Sequence, residues 1–103
     1  MTYDLIFSAL ADPTRRSIFE ALRTEERTVG DIALNQPVSR PAVSQHLKVL
    51  ETAGLVTVRS EGNRRFYALR RDGLEDLRRY LDSFWSDALS AYAAEIERRM
   101  KTN

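Results

Sequence analysis

The last third of the chain sets the strongest limit on what it can fold into. Between Asp72 and Met100 there is no proline, and the only glycine, Gly73, stands at the start. Leu74, Leu77, Leu81, Phe84 and Ala88 recur at alternating steps of three and four, and Trp85, Leu89, Tyr92 and Ile96 widen the stripe. That spacing is one apolar face of a helix. At 1.5 Å per residue such a helix is roughly 40 Å long, whereas 103 residues make one small domain. The helix must overhang its own body, and an overhanging apolar face packs on a twin. The other end of the chain agrees. Tyr3 to Leu10 is apolar nearly all round, and a helix of that kind needs cover on every side. A homodimer is therefore expected, built from the first helix (about 3–10) and the last (about 72–100). Its expected interface is Leu5, Ile6, Leu77, Leu81, Phe84, Trp85, Ala88 and Tyr92.

Between these ends the punctuation is dense. Asp12-Pro13 starts a helix, with Asp12 free to cap the leading amides and Pro13 at a position that needs no N–H partner. That helix is expected to reach about Arg23, with Ile18, Phe19 and Leu22 on one face. Thr28-x-x-Asp31 resembles a capping box, with Asp in place of the usual Glu or Gln. It opens a short helix with Val29, Ile32, Ala33 and Leu34 turned inward, which Pro37 stops by disfavouring helical geometry at Gln36. The next helix opens at Ser39, a good N-cap, with Pro41 tolerated in the first turn. Val43, Leu47 and Leu50 form its inner stripe, and Ala53-Gly54 ends it. The period then changes. Leu55–Arg59 and Arg65–Leu69 are strand-like and flank a turn containing Gly62-Asn63, which is a hairpin signature. Tyr67 is expected to be a core aromatic. The expected class is mainly α with a small β-hairpin, in the order α-α-α-α-β-β-α: a winged helix-turn-helix, with residues 1–103 forming one domain.

The formal net charge is only +1, but it is unevenly spread. Residues 39–71 hold seven basic and two acidic side chains, for +5, while the segments on either side are each −2. One basic face on a near-neutral protein suits a polyanion. In a helix-turn-helix the second helix enters the major groove with its N-terminal residues toward the bases. Here those residues are Ser39, Arg40, Pro41, Ser44, Gln45 and His46, and Lys48 follows on the same outer face as a further DNA contact. Arg can bond guanine O6 and N7, Gln adenine N6 and N7, and Ser bases or phosphates. Arg59, Asn63, Arg64 and Arg65 on the hairpin suit phosphates or a neighbouring minor groove. His46 is read as a structural or phosphate-facing hydrogen-bonding group. Arg15 and Arg16 have two open readings, a phosphate contact or a structural salt bridge.

Other classes are excluded or weakened. There is no cysteine, hence no disulfide frame, thiolate nucleophile or Zn–Cys cluster. One histidine, no Gly-rich phosphate loop and no nucleophile elbow argue against an enzyme. The N-terminus lacks a basic n-region and a cleavage site, and no apolar run approaches the ~20 residues of a membrane span. A cytoplasmic location is expected, with double-stranded DNA and a second copy of the chain as partners and no membrane. No cofactor is expected.

Three stretches resemble the ArsR family of winged-helix repressors. They are Ala11-Asp12-Pro13-Thr14-Arg15-Arg16, the run Val38 to Leu50 followed by Ala53-Gly54-Leu55-Val56, and Arg59-x-x-Gly62-x-x-x-x-Tyr67. The resemblance covers roughly residues 3–90. It implies a homodimer that represses transcription from an imperfect inverted repeat. It also marks a departure. Thr28 and Gly30 stand where metal-sensing members carry thiolates, and the last helix holds no histidine for zinc. The chain thus resembles the metal-independent branch, and no metal site is expected. Two further readings remain open. One is a winged helix that binds protein. The other is a regulator whose effector, a small molecule or a protein, is unknown, with a small molecule seated at the dimer interface near Trp85 and Tyr92.

Overall fold

Three helix starts are set by side chains that accept from backbone amides, because the first amides of a helix have no partner inside it. The computed structural model describes residues 3–101. Its elements are α1 (Tyr3–Ala11), α2 (Pro13–Ala21), α3 (Val29–Ala33), α4 (Arg40–Thr52), β1 (Val56–Glu61), β2 (Arg64–Leu69) and α5 (Arg71–Lys101). Asp12 Oδ1 accepts from the Arg15 amide at 2.9 Å, Thr28 Oγ1 from Asp31 at 3.2 Å and Ser39 Oγ from Ala42 at 3.3 Å. The core is one cluster drawn from α1 through β2. It contains Ile6, Ile18, Leu22, Ile32, Val43, Leu47, Leu50, Leu55, Val56 and Tyr67.

The end of α4 decides where everything after it goes. The Leu55 amide donates to Leu50 and the Gly54 amide to Glu51, each at 3.0 Å. These are the two bonds of a Schellman cap, and they need Gly54 in the left-handed region, at φ +79°. The chain then enters an antiparallel hairpin whose register runs from Val56 opposite Leu69 to Glu61 opposite Arg64. The expected turn of Ser60 to Arg64 is shorter in fact. Only Gly62-Asn63 lies between the strands, and Gly62 alone carries a positive φ, +62°. That suits a two-residue turn with glycine at its first central position. Arg27 adds a one-residue bridge to Tyr67, with backbone bonds of 2.9 and 2.8 Å.

Gly73 is buried where α5 crosses the α4–β1 turn. A Cβ at that position would lie 2.0 Å from the Gly54 carbonyl oxygen. Past this crossing Leu77 packs on the core, and the aromatic contacts of α5 are with α1. Tyr80 takes Tyr3 at 4.5 Å and Phe7 at 5.1 Å between ring centroids, and Phe84 at 5.0 Å. Beyond it the helix runs free of its own chain. Its 31 residues span about 46 Å. The radius of gyration is 19.1 Å, against about 13 Å for a compact chain of this length.

Several expectations need correction. Leu34 is not inward but 82% exposed, because α3 ends at Ala33 and the chain turns away. Ile6 is wholly buried inside the single chain and offers no open face to a partner, while Leu77 is half-buried against the same core. Helix α2 stops at Ala21, with Leu22 as its C-cap.

Candidate nucleic-acid interface

Helix α4 presents two faces set by its own sequence. Val43, Leu47 and Leu50 are fully buried, and Ser39, Arg40, Pro41, Ser44, Gln45 and Lys48 are exposed on the other side. Pro41 lies in the first turn, where its missing N–H costs nothing. Asn63, Arg64 and Arg65 are exposed at the hairpin tip. The structure brings these two groups together. A cleft of about 560 Å³ lies between them, lined by Thr28, Gly30, Arg40, Ser44, Asn63, Arg64 and Arg65 among others. No carboxylate lines it. A second, smaller cleft joins Ser44, Gln45 and Lys48 to Arg65 on the other flank.

Arg40, Lys48, Arg64 and Arg65 have no carboxylate partner among the described residues. They form a positive surface, free of carboxylates at the first cleft and with Glu51 lining the second. Arg59 is different. Its Nε donates to Glu26 Oε2 at 3.0 Å, its Nη2 pairs with the other Glu26 oxygen, and its Nη1 donates to Glu61 at 2.6 Å. It also lies over the Phe66 ring, 4.6 Å from the centroid. These bonds hold the Glu26 carboxyl below its ordinary pKa and push the Arg59 guanidinium higher. Arg59 therefore ties the hairpin to the α2–α3 loop, and its charge is already matched.

His46 is half-buried beneath the exposed face. Its Nδ1 lies 3.3 Å from Arg15 Nη1. Arginine can only donate, so Nδ1 is the acceptor of this contact. Arg15 in turn donates from Nε to the Ala9 carbonyl at 2.6 Å, and Arg16 donates to Leu10 at 2.8 Å. Among the described residues neither Arg15 nor Arg16 makes the salt bridge of one open reading. Both arginines close the last carbonyls of α1, which have no partner within that helix. The amide of Arg15 bonds Asp12, and that bond, helped by the nearby charge of Arg15, lowers the Asp12 pKa.

Residues 12–58, which contain α2 to α4 and the start of the hairpin, match the family model described as "Bacterial regulatory protein, arsR family". Over 94 residues the chain is 54% identical to the HTH-type transcriptional regulator Rv2034 of Mycobacterium tuberculosis, covering 91% of this chain and 88% of that one. The chain belongs to the ArsR family. It is also 37% identical over 71 residues to the transcriptional repressor SdpR of Bacillus subtilis, covering 69% of this chain and 79% of that one. Among solved structures, one described as a possible transcriptional regulator for arsenical resistance superposes with TM-score 0.70 at 46% identity, over 86% of this chain and 93% of that one. A second is the homodimeric winged helix-turn-helix DNA-binding domain Mb0332 of Mycobacterium bovis. It superposes with TM-score 0.66 at 28% identity, over 84% of this chain and 80% of the neighbour.

Sequence reasoning missed three parts of this ArsR-family site. The Arg59–Glu26 pair joins residues 33 apart in sequence, and no local spacing announces it. The Arg15–His46 contact is likewise long-range. Gly30, opposite Arg40, had a signal: glycine inside a helical first turn is disfavoured and asks for a packing reason.

Proposed function

We propose that this protein is a homodimeric, sequence-specific DNA-binding repressor that acts in the cytoplasm, without bound metal and without catalysis. The observation that carries the reading is the exposed N-terminal face of α4 beside Arg64 and Arg65 of the hairpin. Polar base-reading side chains, Ser44 and Gln45, project from a helix that fits the major groove. Arg64 and Arg65 flank them where a phosphate backbone would run. The homodimeric neighbour supports a pair of such helices in successive major grooves, about 34–36 Å apart. Exposed Leu5, Leu81, Phe84, Trp85, Ala88 and Tyr92 support a dimer through α1 and α5.

The metal-free reading rests on donor chemistry. The Thr28 hydroxyl caps α3 and Gly30 offers no side-chain ligand. No group of three His, Cys, Asp or Glu able to hold an ion occurs among the described residues. No described helix is long and apolar enough to cross a membrane.

The test compares mobility of a duplex at low salt for the wild type and for Arg64→Ala/Arg65→Ala. Wild-type binding that falls steeply with salt, and a flatter slope in the double variant, supports the reading. Salt-insensitive or absent DNA binding overturns it and favours a protein partner.

A further inference from the structure

Arg40, a cation of the exposed α4 face, lies against α3. A Cβ built on Gly30 of α3 would be 3.4 Å from Arg40 Nη2, 3.6 Å from Cζ and 3.9 Å from Nη1. The guanidinium therefore lies over the bare backbone of α3, at the wall of the 560 Å³ cleft that Ser44, Asn63, Arg64 and Arg65 also line. A methyl group would just fit beside it. A longer side chain would occupy the space that the guanidinium fills. Arg40 has no carboxylate partner among the described residues to hold it there, so the absence of a side chain at position 30 is what leaves it that seat.

We propose that this cleft binds one backbone phosphate of duplex DNA, and that Gly30 is a positioning residue that seats the Arg40 guanidinium against α3 so that it meets that phosphate together with Arg64 and Arg65. The proposal rests on the DNA-binding reading above and adds a division of labour to it. Arg40, at the start of the recognition helix, neutralises backbone charge, and base reading is left to Ser44 and Gln45. The chemistry also accounts for the glycine. In the first turn of α3 a good helix former such as Leu or Gln is more favourable for the helix than Gly, so local stability does not ask for it.

The experiment measures the salt dependence of binding to a mixed-sequence duplex, which reports phosphate neutralisation without a known operator. The proteins are wild type, Gly30→Ala, Gly30→Leu, Gly30→Gln and Arg40→Ala, each with a thermal unfolding midpoint. The slope is expected to fall by about 0.9 per half-site in Arg40→Ala. The fall in Gly30→Leu and Gly30→Gln should be the same, at an unchanged or raised midpoint. Gly30→Ala should keep the wild-type slope. Combining Gly30→Leu with Arg40→Ala should lower the slope no further than Arg40→Ala alone. Wild-type slopes in both folded Gly30→Leu and Gly30→Gln overturn the positioning role, and a wild-type slope in Arg40→Ala overturns the phosphate contact. Free inorganic phosphate that displaces the duplex only at its ionic-strength equivalent supports a backbone-phosphate cleft; displacement far below that makes it a site for a free anion and overturns the assignment. If wild-type protein binds no duplex at low salt, the failure lies with the DNA-binding reading itself.

Discussion

Single residues divide here into those proposed to read DNA and those that hold the fold. Gln45, exposed on α4, is assigned to base reading, so Gln45→Ala should relax preference at one base position by about 1–3 kcal/mol. Competition between operator variants measures this, and unchanged preference would remove the assignment. Gly73 holds. Its missing side chain lets α5 cross the Gly54 carbonyl, so Gly73→Ala should destabilise by about 1–3 kcal/mol or tilt the helix, lowering the thermal midpoint. In sequence Gly73 stands only as a lone glycine at a helix start, because the requirement comes from backbone 19 positions away. Ile6 and Leu34 show the same limit. Both are apolar and in helical context, yet one is buried and the other open. Only the neighbouring elements decide which. Ser39, Asp12 and Gly54 were legible because their partners lie within a turn or two of themselves.

At the scale of elements, caps and cross-ties fix the reading head. Asp12→Ala removes the acceptor for the Arg15 amide and should lower the unfolding midpoint with DNA preference intact. The Glu26–Arg59 pair ties the hairpin to the α2–α3 loop. The carboxyls of Asp12 and Glu26 sit below their ordinary values of 3.8 and 4.5. A lowered folded pKa means that the stabilising contribution is present above the ordinary value and is lost as pH falls through the folded one. Stability should therefore decline on acidification below about 4.5, and Glu26→Gln should flatten part of that decline. An identical acid profile in that variant would deny Glu26 its share. The order of elements and the inner stripe of α4 were plain from periodicity. The hairpin ends were not, since strand-like residues shade into the polar turn. The α1 arginine caps were also hidden, because an arginine beside a helix end looks the same whether it meets phosphate, carboxylate or carbonyl.

The whole molecule is an elongated body, 70 × 25 × 24 Å, whose long axis α5 overhangs. Trp85 and Tyr92 are each 67% exposed in the single chain, and so large an apolar face is an interaction surface. Placing a charge there by Leu81→Asp/Phe84→Asp should split the dimer, since a buried unpaired charge costs about 3–5 kcal/mol. Sedimentation should then report a monomer, and Trp85 fluorescence should shift to the red. Dimer mass unchanged by those substitutions would move the interface elsewhere. The overhang was legible from length alone. Tyr80, which links α5 to Tyr3 and Phe7, was not, because it lies beside the stripe and not on it.

The most direct test of the central claim is selection of bound duplexes from a random DNA pool by the purified protein in moderate salt. A dimeric reader should enrich an inverted repeat whose half-site centres lie about 10 base pairs apart or a multiple of that. Recovery of unenriched DNA, or of none, would contradict it.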